Sequence, residues 1–324
     1  MKDGQLDSPI VWGKSLLEGW DRFWFTPQLP HTLAIIRILC GGMLAYVHVI
    51  WTSLLTDFMG EAAWIDAAAI QQLHAQDWSW SWLFYVDQPW VLMSHELVAI
   101  LASLLMMLGC ATRVTIPLAW WMTLMVCHRM TGALFGLDQI VMLLAMYLMV
   151  ARSGSVWSVD AVWRDRRGES YWLPSARASV GNNVATRLIQ LHLCVIYLFG
   201  GLSKMRGEMW FDGSALWFSA VNFEYQSLDI TWLGYMPFLI ATLTSLTLFW
   251  ETFYCALVWP RATRPFALGM AVLVHAGIGL ALGMVTFGVI MLTANLAFVP
   301  PEMVRRYCPK IFTSHAARGE AIEV

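Results

Sequence analysis

The sequence predicts an all-α, polytopic membrane bundle of about seven to eight spans, and three observations carry that prediction. Mean hydropathy is +0.58, and only 13% of the 324 residues are charged, against roughly 25% in an ordinary soluble domain. The apolar residues fall in long unbroken runs. Helices and closed barrels are the two architectures that satisfy their backbone groups inside hydrocarbon, and runs of this length select helices over alternating strands. Nineteen tryptophans suit the rims of such a bundle, where an apolar ring with one N–H donor matches the headgroup level.

The first 32 residues contain no basic-then-apolar pattern of a cleavable leader. Within them "SPIVWGKSLLEGWDRFWF" sets Trp12, Leu16, Trp20, Phe23 and Trp24 largely on one helical face, predicting an interfacial amphipathic helix. Spans follow at about 33–55, 91–111, 115–131, 133–151, 186–204, 232–258, 266–284 and 286–300. Between the first two, residues 56–90 hold Asp57, Glu61, Asp66, Asp77 and Asp87 but no Lys or Arg, and "WSWSWLFYVDQPW" reads as an interfacial lid. The polar stretch 152–185, with Pro174 and "SVGNN", reads as a connection. The organisation is therefore an interfacial segment 1–32, one membrane domain 33–300 and a tail 301–324.

Orientation follows from the basic residues, which gather on cytoplasmic flanks. With both termini inside, sixteen of the twenty Lys and Arg fall on that side, as expected of a multi-pass cell-membrane protein. Arg37, just inside the first span, is expected to snorkel back to the boundary. Arg129, Lys204 and Arg206 remain on the outer side and need an explanation.

Several function classes drop out. A net charge of −2 without a basic and aromatic stripe gives no nucleic-acid partner. Six cysteines without C-x-x-C spacing, mostly inside apolar runs, predict neither a disulfide framework nor a zinc site, and no metal is expected. H-E-x-x-H, P-loop and G-x-S-x-G motifs are missing. Duplicated halves with broken central helices, the mark of many transporters, are missing too.

The residues suited to chemistry cluster around "YLFGGLSKMRGEMWFDG". On a helix, Lys204 shares a face with Gly200, Gly201 and Tyr197. The glycines let a neighbouring helix or a flat ligand approach the backbone. An amine held against apolar walls is a candidate general base, because desolvation disfavours its charged form. The plainer alternative is a snorkelling lysine with Glu208 and Asp212 as partners. His275 lies about ten residues into its span, roughly 15 Å deep at 1.5 Å per residue; it is either functional or a neutral imidazole bonded between helices. His192 reads as structural. Asp138 and Glu251 must be paired or protonated inside the membrane region, Asp138 with Arg129 or His128 as neighbours, and both serve equally as helix glue.

Several motifs together resemble the HTTM family of membrane proteins, whose characterised member is the vitamin K-dependent gamma-glutamyl carboxylase. They are "IIRILCG", "LLMMLGCATRVT", "WSVD", "IYLFGGLSKMRGEMWFDGSALW", "LVWPRATRP", the His275 helix and "TFGVIMLTANLAFVP". The resemblance implies a carboxylase-like fold and an extracytoplasmic site. It makes Lys204 the residue that deprotonates a reduced quinone of the vitamin K hydroquinone kind, with His275 as a second catalytic candidate. Tyr197, Gly200, Gly201 and Trp210 are then the cofactor-lining candidates, with Asp138, Glu251 and Asp212 as further site residues. Such an enzyme would be a carbon–carbon lyase acting on an exported protein substrate. Two features depart from the carboxylase: Gly136, Leu137 and Asp138 stand where it has an Asn-His pair, and the sequence to Val324 has no counterpart of its large lumenal portion. The alternative is a non-catalytic membrane partner that helps an exported protein mature or assemble.

Overall fold

The computed structural model describes residues 9–61 and 63–308. Its elements are helical throughout, apart from one isolated antiparallel bridge between Gln28 and Ser179. The principal helices are α1 (Pro9–Phe25), α2 (His31–Ser53), α3 (Pro89–Leu108), α4 (Thr112–Arg129), α5 (Gly136–Leu148) and α6 (Val159–Arg167). They continue with α7 (Val180–Lys204), α8 (Pro237–Leu257), α9 (Arg264–Ala281), α10 (Val285–Asn295) and α11 (Pro301–Tyr307). Each expected span has a helical counterpart. Five of them, α2, α3, α7, α8 and α9, are long and apolar enough to cross a bilayer alone, and a sixth is available if α10 and α11 count as one span bent by 111°.

The two remaining expected spans fall short for visible reasons. α5 has 13 residues, about 20 Å at 1.5 Å per residue, against a hydrocarbon core near 30 Å. α4 carries Pro117 within the helix, Arg113 near its start and His128 and Arg129 in its last turn, which dilute its apolar character. Both nevertheless pack inside the bundle, α4 against α3 and α5, and α5 against α2, α7 and α10. Two groups of helices result, α2–α3–α4 and α7–α8–α9, joined through α5 and α10. The core between them is apolar and aromatic, with Leu33, Ile36, Leu44, Val141, Ala145, Trp250, Tyr254 and Ile290 all fully enclosed.

α7 starts six residues before its expected span because Ser179 caps it, its hydroxyl accepting the Asn182 N–H at 3.3 Å. The stretch 152–185 is more than a connection: it contains α6 and ties the start of α7 to the α1–α2 junction. Asn182 Nδ2 donates to the Gln28 carbonyl (2.9 Å), and Asn183 Nδ2 donates to the carbonyls of Phe23 (2.7 Å) and Trp24 (2.9 Å).

Arg37 does not snorkel. It is fully buried, donating to the carbonyls of Met106 (2.8 Å), Met107 (2.9 Å) and Trp157 (2.7 Å). Helix α3 ends at Gly109, whose φ of +71° favours glycine, and a side chain there would collide with Arg37 and Ser158. At that helix end the guanidinium satisfies the Met107 carbonyl and adds a second donor to the Met106 carbonyl, which already accepts the Gly109 N–H. Asp160 completes the junction by accepting the N–H groups of Ala111 (2.7 Å) and Thr112 (2.9 Å) at the start of α4. Three of the motifs quoted above, those holding Arg37, Gly109 and Asp160, thus meet in one structural knot.

Candidate functional site

At the opposite end of α7 from Ser179, the α7–α8 packing builds the Lys204 environment. Gly201 is where the two helices come closest: a Cβ there would lie 2.5 Å from Thr252 Oγ1 and 2.8 Å from its Cα. That approach carries Glu251 under the lysine, and Lys204 Nζ sits 2.7 Å from Glu251 Oε2. The contact is an ion pair that lies off the line of a well-directed hydrogen bond, and Oε2 takes no hydrogen bond from any other described residue. The lysine side chain is 29% exposed and the glutamate 12%, so the pair lies just under the surface. Its partner is neither Glu208 nor Asp212.

Gly200 leaves room on this pair, since a Cβ at that position would make only ordinary contact with Glu251 Oε2 (3.7 Å) and Lys204 Nζ (3.8 Å). Trp210, half-buried on the short helix Glu208–Phe211, places its ring 5.4 Å from Nζ, within reach of a cation–π attraction. Asp212 is exposed and spends a carboxylate oxygen on the Ser214 N–H at 2.8 Å; it shapes the turn after Trp210 and makes no ion pair among the described residues.

One layer inward lies a polar aromatic cluster. Tyr197 is buried against Tyr254 (ring centroids 4.2 Å apart), Trp250 (4.9 Å) and His275 (5.9 Å). Asn295 ties the two tyrosines together: its amide donates to Tyr197 Oη at 2.9 Å, and its carbonyl accepts from Tyr254 Oη at 2.7 Å. His275 donates through Nδ1 to the Ala271 carbonyl one turn back, at 2.8 Å. It packs on Trp250 (6.2 Å) and Phe287 (6.1 Å) and forms no hydrogen bond or ion pair with Lys204 or Glu251 among the described residues. The two catalytic candidates thus do not meet: His275 packs on Tyr197 and Trp250, whereas Lys204 contacts Glu251 and Trp210.

Asp138 belongs elsewhere. Its carboxylate caps its own helix, accepting the Phe135 N–H at 2.8 Å, and pairs with neither Arg129 nor His128. Arg129 donates to the Ile65 carbonyl (3.1 Å) and His128 contacts the Trp80 carbonyl (2.7 Å), so Arg129 holds down the 56–90 loop. His192 bonds Tyr147 Oη at 2.6 Å, linking α7 to α5. All six cysteines are free, and among the described residues no three His, Cys, Asp or Glu side chains approach closely enough to hold a metal ion.

Residues 25–302 match the model of the HTTM domain. The chain belongs to the HTTM family. That domain is also found in vitamin K-dependent carboxylase. No curated protein and no solved structure matches the chain. Within the HTTM domain the quoted motifs divide by position: the Arg37, Gly109 and Asp160 stretches lock one end of the bundle, whereas the Lys204 stretch shapes a partly open ion pair at the other.

A second buried pair escaped sequence reasoning. His48 Nδ1 lies 2.7 Å from Glu96 Oε2, and both side chains are sealed from solvent. Thr123 donates its hydroxyl proton to the Ala119 carbonyl (2.8 Å), so its oxygen accepts from His48 Nε2 at 3.0 Å. The rule that singled out Asp138 and Glu251, an ionisable side chain inside an apolar run, applies equally to His48 and Glu96.

Proposed function

We propose that this HTTM protein is a quinol-dependent enzyme whose site lies on the extracytoplasmic side around the Lys204–Glu251 pair. The observation that carries the reading is the 2.7 Å contact between Lys204 Nζ and Glu251 Oε2, its lysine 29% exposed, beside the side-chain-free face of Gly200. Gly200 presents no side chain to that face, which leaves it open to a flat ring, and the Trp210 ring lies 5.4 Å from the amine.

The pair performs two tasks that a lone lysine could not combine. A proton leaving a ring hydroxyl is received by the carboxylate of Glu251, directly or by way of Lys204. The ammonium then stays beside the oxyanion that forms, where a preorganised positive charge is most effective. The bound quinol would supply the reducing chemistry toward oxygen; the protein positions it and holds its proton. His275 enters as a positioning residue that packs Tyr197 and Trp250, and Trp250 is the chain neighbour of Glu251. In this reading α4 and α5 cross as the seventh and eighth spans in a locally thinned hydrocarbon layer, α1 lies in the interface, and both termini face the cytoplasm.

The test is oxygen uptake by the purified protein supplied with vitamin K hydroquinone. Lys204→Met and Glu251→Gln each abolish it while leaving the melting temperature near wild type, and unchanged uptake in both variants overturns the reading.

A second reading, a membrane partner for an exported protein, draws on the aromatic surface at the Lys204 end, where Phe223, Tyr235 and Phe238 are 92%, 91% and 85% exposed. Stoichiometric crosslinking of one exported protein, with no quinone binding, would favour it.

A further inference from the structure

At the end of the bundle away from Lys204, a cavity of about 530 Å³ opens between the starts of α4 and α7 and continues beside a smaller one of about 250 Å³. Arg113 and Arg152 line both. Neither enters an ion pair among the described residues. Arg113 is not an idle surface cation: its guanidinium is stacked 4.1 Å above the Tyr171 ring, and its Nε is buried with no hydrogen-bond partner. Stacking fixes the plane of the fork, which is the arrangement that suits bidentate recognition of an oxyanion. The wall opposite includes Ser179, Val180 and Gly181, the cap and first residues of the 25-residue α7. First-turn N–H groups have no acceptor within their own helix, and the helix dipole favours negative charge there. Glu169 lines only the smaller cavity and is the one acid facing the arginines there.

We infer that this cavity is a binding site for a phosphate group, carried by an anionic lipid headgroup or by a free anion, held between Arg113 and Arg152 and the α7 N-terminus. Ordinary retention of positive charge on the cytoplasmic flank asks only for exposed, mobile side chains. A half-buried guanidinium held over a tyrosine ring, its Nε enclosed without a partner, and a second arginine lining the same cavity with no ion pair among the described residues make a built feature, and basic pockets between helices on that face are where anionic headgroups lodge.

The experiment is thermal unfolding of the full chain in neutral detergent, titrated in separate arms with phosphatidylglycerol, phosphatidylcholine and inorganic phosphate. Phosphatidylglycerol raises the wild-type midpoint saturably, phosphatidylcholine does not, and Arg113→Gln/Arg152→Gln weakens the response about tenfold. A response to inorganic phosphate without one to phosphatidylglycerol upholds the site and assigns the free anion as its ligand. Glu169→Gln, which keeps both arginines, tightens binding and remains informative if the double variant does not fold. Equal titration curves for wild type, the double variant and Glu169→Gln overturn the inference.

Discussion

Two pairs, each a carboxylate against a nitrogen side chain, link neighbouring helices in the two halves of this bundle, and the difference that matters between them is access. His48–Glu96 between α2 and α3 is sealed and braced by Thr123 of α4; Lys204–Glu251 between α7 and α8, at the same 2.7 Å separation, keeps part of its surface open. Distance therefore does not distinguish a pair that holds helices from one that can exchange a proton with a ligand. Access does. A sealed pair can only contribute to the fold, because nothing reaches it; a pair beneath the surface gives up some stabilisation to solvent and gains a possible partner.

The widest test of that contrast is stability. Glu96→Leu leaves His48 buried without its acceptor, and removing one member of a buried pair costs about 3 kcal/mol or more. The double variant His48→Leu/Glu96→Leu regains much of this, because a well-packed apolar replacement of both members removes the uncompensated polar group. Glu251→Leu leaves a lysine that is 29% exposed and can reach solvent, so it is expected to cost less than Glu96→Leu, on the order of 1–2 kcal/mol. Thermal unfolding in one detergent measures all three, and equal losses for Glu96→Leu and Glu251→Leu would erase the distinction.

A finer test separates two adjacent glycines. Gly201→Ala forces a methyl group into the backbone of Thr252, and overpacking of this kind costs about 1–3 kcal/mol. The α7–α8 separation that sets the Lys204–Glu251 distance widens with it. Gly200→Ala makes only ordinary contacts and gains up to about 1 kcal/mol of helix propensity. Its methyl nevertheless occupies the face offered to a ring, so quinol binding falls while the melting temperature holds or rises. If both variants lose stability alike, the open face beside Gly200 is not open.

The helices were legible because apolar runs near 20 residues leave little choice, and the Lys204 stretch was legible because a cation there opposes the charge bias of the rest. Pairings were not. Nothing in the order of residues says that Glu251 arrives under Lys204; that depends on the close approach at Gly201, which the paired glycines hinted at without naming the partner helix. Arg37 was misplaced for a related reason. A charged residue near a span end usually reaches for water, and only the fold shows that the carbonyl end of α3 sits within its grasp. His48 and Glu96 lie in different expected spans, each run predominantly apolar, and nothing in residue order shows that they face one another.

A third pair extends the comparison to a half-exposed carboxylate and carries the smallest effect. His74 Nδ1 lies 2.8 Å from Asp77 in the 56–90 loop, with the aspartate side chain 51% exposed, and His74 Nε2 reaches Thr131 at 2.8 Å, tethering the loop to the end of α4. The Asp77 carboxyl is held down at about 2, first by the His74 hydrogen bond and then by the Ser79 N–H. A carboxyl depressed in the folded state contributes above its ordinary range and loses that contribution as pH falls through its folded value. The tether therefore weakens between about pH 4 and about pH 2, with the helical bundle unchanged. Pepsin, active across that window, should cut within 56–90 increasingly as the pH falls, while Asp77→Asn is cut freely already at the upper end. Identical cleavage of the two proteins across the window would show that the loop is held by Arg129, His128 and Ser81, through their bonds to the Ile65, Trp80 and Met125 carbonyls. Exposure would then have reduced the third pair to no measurable role, the limit toward which the sequence from Glu96 through Glu251 to Asp77 already runs.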